Sequence, residues 1–284
     1  MVIRKHAGIV VLALVVFAAP AAALAAAVPH RIVSLSPTAT EDLFAIGAGK
    51  QVIAVDNQSD YPAAAPHSKL SGYTPNAEAI ATYAPDLVVV QYDANHIVEA
   101  LAKLHIPVIV QPSATTLANA YGQLDQLGKA TGHLAAATNV VARMKQQIAA
   151  IVRSVPRPKT AITVYHELEP DYYSATSKTF IGRVYSLLGL KNIADAADKT
   201  NSGYPKLSAE YIVAADPRLI VLADTICCGQ TPGKLAKRPG WSTIAAIKDG
   251  GVIGISDDIA SRWGPRVVDF LREIAAAVRK VAGK

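Results

Sequence analysis

LAAATNVVARMKQQIAAIVRSV, running from Leu134 to Val155, is the stretch on which the fold turns. Val141, Met144, Ile148, Ile151 or Val152, and Val155 recur at three- and four-residue steps. That is the period of one face of an α-helix. Arg143, Lys145, Gln146, Gln147 and Arg153 fill the other positions. At roughly 1.5 Å of rise per residue such a helix is about 30 Å long, the diameter of a small domain. Gly132 precedes it, and Pro156-Arg157-Pro158 ends it, because proline cannot continue a helix. Strand and helix signals alternate on both sides, so the helix reads as a stiff spine (134–156) between an N-terminal lobe (28–133) and a C-terminal lobe (157–284).

Before the spine, apolar strands are predicted at Arg31 to Leu35, Val52 to Val55, Leu87 to Gln91 and Pro107 to Val110. After it they fall at Ala161 to Tyr165, Leu219 to Leu222 and Gly251 to Ile255, with a loop from Glu167 to Ser177. Helical segments separate them, ending in a long one from Pro265 to Val281. Short apolar strands spaced by helices imply parallel sheets covered on both faces. The fold class is therefore α/β: two Rossmann-like lobes with parallel sheets, joined by one long helix. An internal echo supports the pairing. Ala77-Glu78-Ala79-Ile80 with Pro85 to Val90 repeats, at an offset of 132, as Ala209-Glu210-Tyr211-Ile212 with Pro217 to Leu222.

With 284 residues the chain is long enough for two domains with their own cores. Its 51% apolar and 18% charged content argues against disorder. Arg4 and Lys5, the apolar run Ala7 to Leu24 and the small residues up to Ala27 have the order of a secretory signal peptide. Residues 1–27 are read as that leader, so the mature chain is exported, to the periplasm or the outer face of the cytoplasmic membrane. Without Arg4 and Lys5 the net charge falls from +6 to +4. No dense Lys/Arg run is present, which argues against a nucleic acid partner.

No G-x-S-x-G elbow, Walker loop or G-x-G-x-x-G fingerprint marks an active site. No catalytic residue, metal ligand or cofactor is assigned, and the chain is read as a non-enzyme. The histidines from His30 to His166 show no H-x-x-x-H pairing. Cys227 and Cys228 are adjacent and are the only cysteines. In an oxidising compartment they either form a small strained ring, with little chain-entropy gain, or remain two thiols. Tyr61, Tyr73, Tyr92, Tyr172, Tyr173, Tyr204 and Trp263 lie in predicted loops or at element ends. In an open α/β sheet, ligands lie outside the carboxyl ends of the strands. Flat side chains with one polar tip there, together with Arg262, Arg266 and a Cys227-Cys228 knob, suit a flat or bulky chelate better than a small sugar. Glu78 and Glu210 each fall in the first turn of a helix, where the dipole favours a carboxylate by about 0.3–1 kcal/mol. On matching faces of the two lobes, they also suit a two-pronged contact with arginines of a partner.

The mature chain resembles the cobalamin and ferric-siderophore binding proteins of ABC importers, the helical-backbone or class III periplasmic binding family. The residues that carry the resemblance are Arg31 to Pro37 with Thr40-Glu41, Ser59-Asp60-Tyr61-Pro62, Asn76 to Ile80 with Pro85 to Val88, Gly189 to Ala194, and Ser208-Ala209-Glu210. The resemblance implies a monomer that captures a metal chelate (a ferric siderophore, haem or a corrinoid) between two lobes. It also implies docking on the transmembrane subunits of an ABC permease through Glu78 and Glu210. Tyr204 stands where the cobalamin binders carry an aromatic before the second docking helix, and Arg262 near an arginine that lines their cleft. Gly72-Tyr73 stand where they carry a tryptophan, and Gln58 where they carry a tyrosine. Two other readings fit the residues: a direct metal-ion receptor of the same fold, and an exported redox enzyme using Cys227-Cys228.

Overall fold

The computed structural model describes residues 28–156 and 160–283. The leader expected at 1–27 lies outside the described residues. The chain runs β1 (Ile32–Leu35), α1 (Pro37–Ala45), β2 (Val52–Val55), α2 (Ala77–Ala81), β3 (Leu87–Val90), α3 (Ile97–Lys103), β4 (Val108–Val110) and α4 (Leu117–Ala130), then the spine α5 (Leu134–Ser154). It continues β5 (Thr163–Glu167), α6 (Phe180–Leu187), β6 (Lys191–Asn192), α7 (Ala209–Ala215), β7 (Leu219–Leu222), α8 (Pro232–Leu235), α9 (Ala245–Lys248), β8 (Val252–Gly254), α10 (Asp257–Ser261) and α11 (Val267–Ala282).

Two four-stranded sheets flank the spine, in the orders β2-β1-β3-β4 and β6-β5-β7-β8. Every pairing within them is parallel. The topology is thus repeated, and the echo extends to the caps. Asn76 and Ser208, 132 residues apart, each accept a hydrogen bond from the amide three residues on and start α2 and α7. A side-chain oxygen there satisfies one of the orphan amides of a first turn.

Helix α5 buries Ala137, Val140, Val141, Met144 and Ile148, while Arg143, Lys145, Gln146 and Gln147 stay exposed. Its 21 residues make a rod of about 30 Å. It packs on α4 so closely that a Cβ at Gly128 would lie 2.5 Å from that of Ala137. Its other neighbour is α11, nine of whose residues are buried.

The expectation of separate cores changes here. One apolar cluster runs from Ile32 and Leu43 through Val141 and Met144 of α5 to Val184 and Leu271 of the C-terminal half. Smaller clusters cover the outer faces of the two sheets. The spine is amphipathic rather than solvent-spanning, so its apolar stripe fuses the two halves.

Strand β5 runs two residues beyond the expected Tyr165, to Glu167. Alternation alone gave no reason to bury His166 and Glu167, yet neither is exposed. Short elements β6, α8 and α10 also went unread, because two to five residues carry no period.

Candidate ligand cleft at the carboxyl ends of the strands

Parallel strands deliver their following loops to one edge. Beyond β1, β2 and β3 these loops meet α10 of the other half around a cavity of about 210 Å³. Its wall includes Asp56, Gln58, Tyr73, Tyr92, Asp258 and Arg262. Tyr73 is 68% exposed, Tyr92 is 40% exposed, and their rings lie 6.4 Å apart at 49°. Gly72 places Tyr73: a Cβ at that position would sit 2.6 Å from the Leu35 carbonyl oxygen and 2.7 Å from Asp56 Oδ2. Burial, then the neighbouring Tyr73 and Asp56, raise the Tyr92 hydroxyl above its ordinary pKa. Burial likewise raises Asp56 and Asp258 above the usual carboxylate range.

Arg262 crosses between the halves. Its Nη1 donates to Glu41 Oε1 and Asp60 Oδ1, both at 2.9 Å. Its Nη2 donates to the Gln58 carbonyl at 2.9 Å and to Asp258 Oδ1 at 2.6 Å. Arg266 grips both oxygens of the same Glu41 and lies 4.1 Å over the Tyr61 ring. Trp263, 8% exposed, lines the cavity and donates from Nε1 to Gln123 Oε1 of α4 at 2.7 Å. Buried Asp42 beside Glu41 is pushed well above the ordinary carboxylate pKa, first by burial and then by Glu41.

The cavity therefore brings together Tyr73, Tyr92, Arg262 and Trp263 of the residues singled out from the sequence. Tyr61 lies outside its lining, under Arg266. Tyr172, Tyr173, Tyr204, Cys227 and Cys228 belong to the C-terminal half and are not in its wall. Tyr172 stacks on Trp241 at 5.9 Å. Tyr173 is exposed beneath Lys206, and Tyr204 is exposed. Cys227 and Cys228 are joined to each other in an exposed loop, which Asp257 holds through the Ile226 and Cys227 amides. Glu78 and Glu210 are both exposed, one residue into their helices. The Glu210 carboxyl is held low by its own backbone amide and Ser208.

The sequence reading missed the charged knot at the ends of β5 and β7. Arg238 forms a two-pronged pair with fully buried Glu167, at 2.6 and 2.7 Å, and reaches Gln230 at 3.3 Å. It lies 4.7 Å over Trp241 and 5.3 Å over Tyr172. Asp224, also unexposed, is raised to about 7, first by burial and then by the Glu167 charge. A proton on Asp224 lets it donate to Glu167, a contact two bare carboxylates cannot make. A carboxylate ending an apolar strand was the one signal in the sequence, but its partner stands 71 residues on.

The family model described as periplasmic binding protein matches residues 32–259. The chain is similar to a cobalamin-binding protein of Halobacterium salinarum, 31% identical over 88% of this chain and 69% of that one. It is similar to an uncharacterised ABC transporter substrate-binding lipoprotein of Bacillus subtilis, 28% identical over 88% of this chain and 80% of that one. Among solved structures it resembles a periplasmic haem-binding protein of Roseiflexus, with a TM-score of 0.77 and 23% identity over 89% of this chain and 99% of that one. Two parallel sheets on a shared spine, and a match that spans most of both, place this chain in the periplasmic binding protein family.

Proposed function

We propose that this chain is the extracytoplasmic substrate-binding component of an ABC importer, capturing a metal chelate (a ferric siderophore, haem or a corrinoid) between its two lobes. One observation carries this: an exposed tyrosine pair at the mouth of a polar cavity, where the loops after β1 to β3 meet α10. The cavity is too small to enclose a chelate, so it takes one edge while the aromatic faces cover the rest. The names of the relatives, which bind cobalamin or haem, support the ligand class. Three parts follow, with lobes 28–133 and 157–284 on either side of spine 134–156. Glu78 and Glu210, alike in cap, helix position and exposure, dock on cations of the permease. Among the described residues no helix is long and apolar enough to cross a membrane. Residues 1–27 act as an export signal.

The test starts with absorbance, mass and metal analysis of whatever co-purifies. Cyanocobalamin, haemin and ferrioxamine are then titrated against the intrinsic fluorescence. Saturable one-to-one quenching by one of them, with the chelate recovered unchanged, is expected. Binding of a bare ion alone, or turnover of the chelate, would overturn the reading.

A further inference from the structure

Among the described residues, one cation, Arg262, lines the cavity. A guanidinium has five N–H donors and no acceptor. Four of those five stand on the Nη atoms, and each Nη already serves two oxygens: Glu41 and Asp60 on one side, Gln58 and Asp258 on the other. Arg266 turns its Nε and Nη2 to Glu41 and lines a different hollow, with Tyr61 and Phe44. At the ends of β5 and β7, Arg238 is occupied in the same way by Glu167 and Gln230. Lys206 pairs with Asp171. Around the cavity, four carboxylates (Glu41, Asp56, Asp60 and Asp258) stand against two guanidiniums. The remaining polar lining is amide and hydroxyl: Gln58, Gln91, Thr38, Ser261 and the two tyrosines. Arg183 lines a separate, more apolar cavity of about 500 Å³ between α4 and α6.

An anionic ligand entering here would find its counter-charge already neutralised and would face carboxylates in a partly desolvated site. Charges a few ångströms apart there interact far more strongly than in water. Building repulsion against the wrong ligand is as effective for specificity as building attraction to the right one. We infer that the cleft selects chelates with a neutral, amide-bearing or cationic rim, and rejects chelates that present carboxylates. This inference rests on the chelate-binding reading above and refines it. The amide and hydroxyl lining pairs with amide side chains of the ligand, and Asp56 and Asp258 accept from its donors.

Matched probes isolate the charge. Cyanocobalamin is compared with its side-chain monocarboxylic acids, and ferrioxamine carrying its free ammonium with its N-succinyl derivative. Each pair is titrated by calorimetry at low and moderate salt. In the pair that binds, the acid member should bind at least tenfold more weakly, which is about 1.4 kcal/mol. Asp258→Asn, which removes one negative charge while leaving an amide oxygen to accept from Nη2 of Arg262, should narrow that ratio at least fivefold. Asp60→Asn acts on Nη1 from a more exposed position and serves if Asp258→Asn fails to fold, as judged by circular dichroism. An acid member bound as tightly as its partner, or a ratio unmoved by both variants, would sink the inference and leave chelate binding intact. Binding of haemin, a dicarboxylate, with none of the four probes bound would sink the inference alone, and no binding by haemin or by any of the four would sink both.

Discussion

At the first sheet, the side chains beyond the strand ends stand open: Tyr73 and Tyr92 face solvent over a polar cavity. At the second, the equivalent edge is closed on itself, with Glu167 and Asp224 buried and Arg238 wedged between Glu167 and the Tyr172 and Trp241 rings. Strand order, caps and the first-turn glutamates Glu78 and Glu210 repeat between the halves, but the treatment of the edge does not. The difference shows how a duplicated frame divides its work. One edge leaves aromatic and polar surface exposed over a cavity; the other uses its polar groups to hold its own loops. The second half reaches the cavity through α10 and the residues just after it, where Arg262 and Trp263 tie it to Glu41 and Gln123.

The feature the halves share gives the largest expected effect. Glu78→Ala with Glu210→Ala should abolish chelate uptake by cells while chelate affinity in vitro stays within twofold. Either change alone should leave partial uptake, since each lobe contributes one prong. Uptake that survives the double change would show that the symmetry of the two glutamates is only helical capping.

The closed edge against the open one gives the next. Arg238→Met leaves the Glu167 carboxylate buried without its cationic partner, a loss of about 3–5 kcal/mol. For a chain of this size that lowers Tm by roughly 10 °C. Tyr73→Ala, at an exposed site, should shift Tm by no more than about 2 °C. It should weaken chelate binding about tenfold, or about 1.4 kcal/mol. Thermal melts and titrations of both variants check the pair. If Arg238→Met melted normally and lost only ligand binding, the second edge would be a binding surface after all.

The parts legible in the sequence were those with a period or a punctuation mark. The spine, read as 134–156, ends two residues earlier at Ser154, and it was legible because its apolar stripe runs for about six turns and glycine and proline bracket it. The sheets followed from short apolar runs, and the echo from Glu78 and Glu210 at equal offset. What escaped was set by tertiary neighbours. Nothing local says that the apolar stripe of α5 would carry one core into both halves, or that Arg262 would spend its donors on Glu41, 221 residues away. The tyrosines illustrate the limit: all seven aromatics looked alike in the sequence, yet of them Tyr73, Tyr92 and Trp263 line the cavity at the strand ends.

The smallest effect concerns the protons of the closed edge. Burial and Glu167 raise Asp224 from its ordinary value to about 7 in the folded chain, whereas in the unfolded chain it titrates near the model-peptide value of about 4. Between those two values the folded state holds a proton that the unfolded state has released, so this group's contribution to stability falls as pH rises through the window. Buried Asp42, in α1 of the other half, has the same sign, and buried His166, lowered to about 3, has the opposite sign below its ordinary pKa. The wild-type profile is therefore a sum, and the difference between variants is the quantity to measure. Relative to Asp224→Asn, the wild type should lose stability steadily from pH 4.5 to pH 7, read as urea midpoints at fixed salt. Parallel profiles for the two proteins would mean that Asp224 is ionised throughout. The closed edge would then be held by Arg238 neutralising two charges rather than one, and the contrast with the open edge would rest on ion pairing alone.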